Sequence, residues 1–246
     1  MQHLLIRHTI TGTVSVVLTW LFWQTRPEWD SEMRFWKALG DTSLVFLYAT
    51  LLLGPFSRFY AKAGRLLKYR HELGLWFGFY GLFHTVLILN GWVRWDPSIF
   101  MGYQFVQQAG RMVRLESGFG FANIAGLAAM IIAIPLMITS GQWAVRYLGG
   151  SSWRYLHLGV YPIFYLVALH TTYYMYVHFS VSFHRAPPPE NWAQVPFAIA
   201  TFLVFAAHAA GYTRTFLNRR SRRTLGDTPA SPWRQFSSRL SAAVAR

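Results

Sequence analysis

The sequence predicts an all-α membrane protein, built as a bundle of six transmembrane helices. The apolar residues make up 53% of the 246-residue chain and occur in blocks long enough to cross a bilayer. Charged residues are only 13% of the chain and fall almost wholly between those blocks. Two of the blocks each contain a pair of histidines, which need a polar partner or a metal at membrane depth.

Apolar windows of about 20 residues give the six predicted spans. They lie at residues 8–24, 41–60, 72–93, 118–139, 154–178 and 195–216. The first span is short and resembles the apolar part of a signal peptide. No small-residue cleavage site follows it, so we expect an uncleaved first helix. Asp41, at the start of the second predicted span, is expected to cap that helix.

The positive charges predict the orientation of the bundle. Six spans put both termini on one side of the membrane, together with the loops after the second and fourth spans. That side carries 16 of the 23 Lys and Arg residues. Because these residues are retained on the cytoplasmic side, both termini are predicted to be cytoplasmic. The same bias explains the net charge of +14 without nucleic acid as a partner.

Several kinds of chemistry are excluded by what the sequence lacks. There is no cysteine, which rules out disulfides, thiolate-bound zinc and iron–sulfur clusters. There is also no P-loop, no dinucleotide fingerprint and no pair of intramembrane carboxylates as in a proton pump. The basic tail is too short for a flavin or nicotinamide domain, and is expected either to lie on the inner leaflet or to be disordered. The sequence carries no substrate-converting site, so any named reaction would belong to a partner. Whether the chain counts as an enzyme in its own right stays open.

Four histidines in the third and fifth spans indicate a two-level ladder of metal ligands. In each span the two histidines are 13 residues apart, as His71 and His84 and as His157 and His170. If both spans run outward from the cytoplasm, His71 and His157 form an inner level and the other two lie about 20 Å further out. Two imidazoles at one level fill both axial positions of a haem iron, which suits electron transfer.

The spacing of 13 residues presents a geometric difficulty. It turns a straight helix by about 220°, so the two histidines of one span would not face the same partner. Pro162 lies between the two histidines of the fifth span, where a kink or a π-turn would correct the phase. The third span has glycines but no proline, so the inner pair of histidines, His71 and His157, is the less strongly supported.

Each histidine also has an alternative role. His84 and His170 could instead bond to a neighbouring helix, and His157 could bond to a phosphate or a carbonyl group. His71 lies at the membrane interface, where a solvated or lipid-phosphate role is equally open. No ligand role is expected for the remaining histidines, His3, His8, His178, His184 and His208.

Arginines gather at the predicted cytoplasmic level of the bundle. Arg58, Arg70 and Arg154 are candidates for binding haem propionates, which need cationic partners. For any one of them, the retention of positive residues on the cytoplasmic side is the stronger explanation.

Three motifs occur in a fixed order along the chain. They are ATLLLGPFSRF at 49–59, RHELGLWFGFYGLFH at 70–84, and TSGQWAVRYLGGSSWRYLHLGVY at 139–161, which is followed by His170. Together they resemble the ferric-reductase-like transmembrane domain. Within that family they are most similar to the haem-binding membrane subunits of bacterial protein-methionine-sulfoxide reductase systems. The resemblance covers roughly residues 41–176.

The resemblance implies a b-type haem held by His84, His157 and His170, with one or two haems in all. His71 stands where those subunits usually have an arginine, and would complete a second pair of ligands. Further cofactors implied as alternatives are FMN or quinone. Electrons would pass from quinol or a cytoplasmic flavin reductase to a periplasmic redox enzyme, such as a methionine sulfoxide reductase, across the bacterial inner membrane.

The resemblance also implies a division of the chain into four regions. Residues 1–40 form a first helix and periplasmic loop, 41–180 a haem-binding core, 181–217 a loop and the sixth helix, and 218–246 a basic cytoplasmic tail. Two alternatives to the implied function remain. One is a related haem protein with a different electron acceptor, and the other is a haem-free membrane scaffold or transporter subunit.

Overall fold

The computed structural model of the chain describes residues 2–114, 118–178 and 191–224. Within them the helices, in chain order, are α1 Gln2–Gln24, α2 Ser31–Phe59, α3 Arg70–Leu87, α4 Pro97–Phe100, α5 Phe119–Ile138, α6 Gln142–Leu148, α7 Gly150–Leu156, α8 Val160–Thr172 and α9 Gln194–Thr224. Segments of 3-10 helix span Ala61–Tyr69, Gln107–Ala109 and His157–Gly159, and π-helical segments span Ile88–Val93 and Tyr173–Val177. The predicted all-α class is confirmed.

Five helical stretches are long and apolar enough to cross a membrane. They are Gln2–Gln24, Ser31–Phe59, Lys62–Val93, Phe119–Ile138 and Gln194–Asn218. They correspond to the first four predicted spans and the sixth, and the chain is a multi-span membrane protein. The predicted fifth span is a run of shorter pieces, α7, a 3-10 segment, α8 and a π-helical segment. A total of six spans therefore stays a prediction.

Helix α2 lies at the centre of the bundle. It packs against α1, α3 and α9, while α5 packs against α8 and α3. The side chains of Phe46 and Leu51 from α2 meet those of α5 and α8 in one apolar core. On the outer faces, large apolar side chains such as Phe121 and Phe202 are exposed. An apolar exterior around an apolar core is the surface that a bilayer requires.

The start of α2 differs from the prediction. The helix begins ten residues earlier, at Ser31, because Asp30 provides the cap: its Oδ1 accepts from the backbone N–H groups of Glu32 at 3.0 Å and Met33 at 3.3 Å. The prediction that Asp41 caps this helix was wrong. Asp41 lies well inside α2, where its side chain is buried and paired with two cations.

The long loop after α3 contains structure that the sequence did not predict. Strand β1, Tyr103–Val106, pairs antiparallel with β2, Arg111–Arg114, in a small hairpin. Gly110, just before β2, has φ +60°, a backbone conformation that glycine adopts without steric cost. The hairpin is largely exposed and lies apart from the helical core.

The predicted loop before the sixth helix and the predicted tail fall largely outside the described residues. Residues 184–190 and the tail from residue 225 belong to that part, so the predictions made for them are not tested. Helix α9 continues to Thr224, beyond the predicted end of the last span at residue 216. The beginning of the predicted tail is therefore helical.

Candidate haem site

A backbone carbonyl of α2 holds the imidazole of His84 in place. The Nδ1–H of His84 donates to the carbonyl oxygen of Trp36 at 2.7 Å. The imidazole lies over Gly40, where an added Cβ would come within 3.2 Å of the ring. Because a carbonyl group can only accept, Nδ1 carries the proton and Nε2 keeps its lone pair. Among the described residues Nε2 makes no hydrogen bond, so it is available as a ligand atom.

His170 has the same arrangement on the other side of the bundle. Its Nδ1–H donates to the carbonyl oxygen of Ala122 in α5 at 2.8 Å. The ring lies against Gly126, where an added Cβ would be 2.8 Å from Nδ1. The ring of Tyr174 is 4.9 Å away, measured between ring centroids. Metal-binding histidines typically donate their second ring N–H to such an outer partner, which fixes the tautomer and the orientation of the ring.

The structure brings His84 and His170 to the same level of the bundle. They are close enough for the charge of one ring to act on the other. Within the described part of the chain, Nε2 of neither imidazole makes a hydrogen bond, and each ring has the space that a glycine leaves on the neighbouring helix. Two such nitrogens form the donor set of a bis-histidine haem iron. The residues present at this level therefore fit a haem group.

His157 lies at the other predicted level, near the end of α5. Its Nε2 is 3.3 Å from Oγ1 of Thr139, the residue that follows α5. Its ring stacks on Trp153 with centroids 4.2 Å apart, and the indole N–H of Trp153 donates to the carbonyl of Thr139 at 2.8 Å. This network orients the ring, although the nitrogen that would bind a metal is the one that faces Thr139.

A helix irregularity lies at the first histidine of the fifth predicted span. The regular α-helix is interrupted by the 3-10 segment His157–Gly159, and Pro162 lies in the first turn of α8 immediately after it. A 3-10 segment has about 3 residues per turn rather than 3.6, which changes the direction of every later side chain. Both His157 and His170 then face α5. The predicted irregularity is present, but its position is at His157 rather than at Pro162.

His71 has a different environment from the other three candidates. Its Nδ1 lies 3.6 Å from Oε1 of Glu72, and its ring is 6.2 Å from that of His8 in α1. The side chain is 40% exposed. It also acts electrostatically on His157, which places it at the same inner level. His71 thus has neighbours in two directions, and no backbone carbonyl of another helix fixes its ring among the described residues.

The three candidate arginines are not equivalent. Arg58 is already engaged, since its Nη1 donates to the carbonyl of Gly211 and to Oγ1 of Thr215 in α9, both at 3.1 Å. Arg70 and Arg154 are exposed, and the charge of Arg70 reaches His157. A role for these three residues in binding propionates stays a prediction.

Several residues around the site were missed from the sequence. Trp36 and Ala122 act through backbone carbonyls, which have no signature in a sequence. Gly40 and Gly126 were detectable only as small residues on helix faces, a common feature of packed membrane helices. Glu72 is fully buried beside Arg7, with Nε and Oε1 3.2 Å apart. Glu72 was detectable from the sequence, because it is an acidic residue at the start of a predicted span.

Comparison with known proteins identifies the family. The sequence profile described as "Ferric reductase like transmembrane component" matches residues 38–169, which is more than half of the chain. The chain belongs to this family. The matched region includes His71, His84 and His157, and it ends one residue before His170.

Individual relatives are similar over the same part of the chain. The "Protein-methionine-sulfoxide reductase heme-binding subunit MsrQ" of Bordetella parapertussis is 33% identical over 134 residues, 54% of this chain and 58% of the relative. The protein of the same name from Rhizobium meliloti is 32% identical over 57% of this chain and 58% of its own length. The "Magnetosome protein MamZ" of Magnetospirillum gryphiswaldense is 31% identical over 54% of this chain and 18% of its own length.

The matches cover only part of each protein, which limits the functional conclusions that they support. The chain spans little more than half the length of the MsrQ relatives that it matches. No solved structure matches it significantly. The family and the names of the relatives support haem as the bound group, and they leave the donor, the acceptor and the number of haems open.

Proposed function

We propose that this protein is a b-type haem subunit that carries electrons across the bacterial inner membrane. The observation that carries the proposal is the matched geometry of His84 and His170. Each donates Nδ1–H to a carbonyl of a neighbouring helix, each ring lies against a glycine, and Nε2 of each makes no hydrogen bond to the described residues. The similarity to haem-binding subunits supports the same assignment.

The residues of the chain would perform three tasks. His84 and His170 would hold the haem at the outer level, and their carbonyl partners would fix the tautomer and the orientation of each imidazole. The apolar core around them excludes water. A haem held by these two histidines would supply one-electron transfer. Arg58, Arg70 and Arg154 are proposed partners of propionates at the inner level.

A second haem is proposed at the inner level, held by His157 and His71. The two lie near enough for the charge of His71 to act on His157, which supports this pairing. We expect His71→Ala to lose roughly half of the haem bound per protein, because a haem with a single remaining histidine is weakly held. His3→Ala is the matched control, because it removes a histidine near the same face for which no ligand role is expected. An unchanged haem content in His71→Ala would restrict the protein to one complete site.

The direction of transfer and the partners follow from orientation and similarity. With both termini in the cytoplasm, electrons would enter from quinol or a cytoplasmic flavin reductase and leave at the periplasmic side, with FMN or quinone as an additional cofactor. A periplasmic methionine sulfoxide reductase is the first candidate acceptor, supported by the names of the MsrQ relatives. The similarity to a magnetosome protein favours keeping a different acceptor as the second candidate.

The proposal is tested by the absorption spectrum of the purified protein. We expect a Soret band and a reduced-minus-oxidised difference spectrum typical of b-type haem in the wild-type protein. His84→Ala and His170→Ala should each lose the outer haem. His208→Ala should retain the wild-type spectrum, since His208 is a membrane histidine in α9 without a proposed ligand role. A wild-type protein that shows no Soret band, even after addition of haem, would contradict the proposal.

A further inference from the structure

A cluster of three charged side chains lies inside the bundle beside the outer histidines. Arg26, from the loop after α1, places Nη1 3.0 Å from Oδ2 of Asp41. Lys37, one turn before Asp41 in α2, pairs with the other carboxylate oxygen. The side chains of Arg26 and Asp41 are less than a tenth exposed. Two cations thus share one carboxylate, and with all three groups ionised the cluster of Arg26, Lys37 and Asp41 carries an excess of one positive charge.

Two aromatic rings lie against the arginine of the cluster. The guanidinium of Arg26 lies 5.6 Å from the ring centre of Trp29 and 5.7 Å from that of Trp192. Its Nη2 is buried and has no hydrogen-bond partner among the described residues. Charged groups at membrane depth are costly, and an unequal number of the two signs cannot be explained as a simple neutral ion pair. An excess charge kept in this position calls for a function.

The stretch of α2 that carries Lys37 and Asp41 also holds His84. The carbonyl of Trp36 accepts from the imidazole, and Gly40 lies beneath the ring. Lys37 and Asp41 follow these two residues directly in the sequence. Both are close enough to act electrostatically on His84, and Lys37 also acts on His170. The excess charge is therefore built into the support of the outer ligand pair.

We propose that the cluster of Arg26, Lys37 and Asp41 raises the reduction potential of the haem held by His84 and His170. Reduction adds one electron to ferric iron and gives ferrous iron, with no bond broken and no proton required. The step places one more negative charge at this level, which a nearby excess positive charge stabilises where the dielectric constant is low. A higher potential at the outer level favours electron flow outward. This inference rests on the proposed function.

The test is a spectroscopic redox titration of the purified haem protein with three charge variants. Asp41→Asn raises the local charge by one unit and should raise the potential of the outer haem. Lys37→Gln lowers the charge by one unit and should lower that potential. We expect each change to shift the ratio of reduced to oxidised haem roughly tenfold at a fixed potential, about 59 mV for one electron. The double variant restores the charge and should return to near the wild-type value.

Two controls separate charge from structure. Lys62→Gln removes an exposed positive charge from the 3-10 segment before α3, and should leave the outer potential unchanged. The outer haem is recognised as the component that His170→Ala removes. Asp41→Asn could hold no haem, because Arg26 is left buried beside an uncharged partner. In that case the direction in which Lys37→Gln shifts the reduction potential decides whether the inference stands.

Each outcome of the titration bears on the inference. Opposite shifts in the two single variants, with restoration in the double variant, support it. Wild-type potentials in all three variants, or shifts of the same sign, would overturn it while leaving the proposed function intact. A haem content that does not depend on His84 and His170 would also overturn it. A wild-type protein without haem would instead reject the proposed function.

Discussion

At the scale of single residues, the outer site is determined by what lies behind each imidazole. A carbonyl oxygen fixes Nδ1 of His84 and of His170, and a glycine provides the room for each ring. The same four features would be expected of structural histidines that bond to a neighbouring helix, one of the alternatives open from the sequence. The pairing of two such rings at one level, each with a free Nε2, favours ligands over that alternative.

The glycines give the first prediction. Gly126→Ala would place a methyl group 2.8 Å from Nδ1 of His170, and Gly40→Ala would place one 3.2 Å from the ring of His84. Each imidazole would have to move away from its carbonyl, so we expect both variants to bind less haem, with the larger loss in Gly126→Ala. The measurement is haem bound per protein after purification.

A matched control exists in the same helix as Gly40. Gly54 also lies in α2, and a Cβ added there would meet nothing within 4 Å. Alanine is the better helix former by about 1 kcal/mol, so Gly54→Ala should fold normally and keep its haem. Equal haem content in all three glycine variants would show that the rings are not positioned by these contacts.

The histidines were predictable from the sequence, whereas their supports were not. A histidine in an apolar run stands out because it has no water to bond to. Trp36 and Ala122 contribute only backbone atoms, and any residue type supplies a carbonyl. The cluster around Asp41 was missed for a different reason: α2 begins ten residues before its apolar run, so a buried aspartate was interpreted as a helix cap.

At the scale of elements, α1 depends on a few polar contacts with its neighbours. The residues that α1 buries are small and polar, Thr11, Ser15 and Thr19. Thr19 Oγ1 is 2.9 Å from Thr42 Oγ1 in α2, and Arg7 is paired with the buried Glu72 of α3. Leu18 and Phe22 add apolar contacts, but the fully buried positions of this helix rely on directed interactions.

The Arg7–Glu72 pair gives the second prediction. Glu72→Gln removes the charge that faces Arg7 in a fully buried position, and should lower the free energy of unfolding by up to about 3 kcal/mol. The loss is at the low end of the range for buried pairs because Arg7 is partly exposed and can turn to water. Thermal unfolding in detergent measures the change. Glu28→Gln, at an exposed acid in the loop after α1, should unfold at the same temperature as the wild type. Equal unfolding temperatures for Glu72→Gln and Glu28→Gln would contradict a stabilising role for the pair.

The fifth predicted span shows what a sequence can and cannot locate within an element. The spacing of its two histidines required an irregularity, and Pro162 was its visible cause. In the structure the 3-10 segment begins earlier, at His157. Near this point the indole N–H of Trp153 donates to the carbonyl of Thr139, the residue that follows α5. Pro162 is compatible with this position, since a proline in the first turn of a helix lacks only an N–H that has no helical partner. The position of the irregularity depends on a tertiary contact, which residue spacing does not reveal.

At the scale of the whole molecule, the distribution of charge predicts the orientation in the membrane. The helices that cross the bilayer were mostly predictable, because length and hydropathy are properties of the sequence alone. The hairpin between β1 and β2 was not, since its two strands are short and mostly exposed and belong to no apolar pattern.

Orientation gives the third prediction. A reporter enzyme that is active only in the periplasm should be inactive when fused to the C-terminus. The same reporter inserted at Gly110, in the exposed turn of the hairpin, should be active, because that loop is predicted to lie on the opposite side. Activity at the C-terminal fusion would reverse the proposed direction of electron flow.

The central claim, that this protein carries electrons across a membrane, is tested most directly in sealed liposomes. The haem-loaded protein is reconstituted into vesicles that contain ferricyanide, and a membrane-impermeant reductant is added outside. We expect the internal ferricyanide to be reduced much faster than in empty vesicles, and His170→Ala to abolish the difference. If vesicles carrying fully haem-loaded wild-type protein reduce ferricyanide no faster than empty vesicles, the proposed function is contradicted.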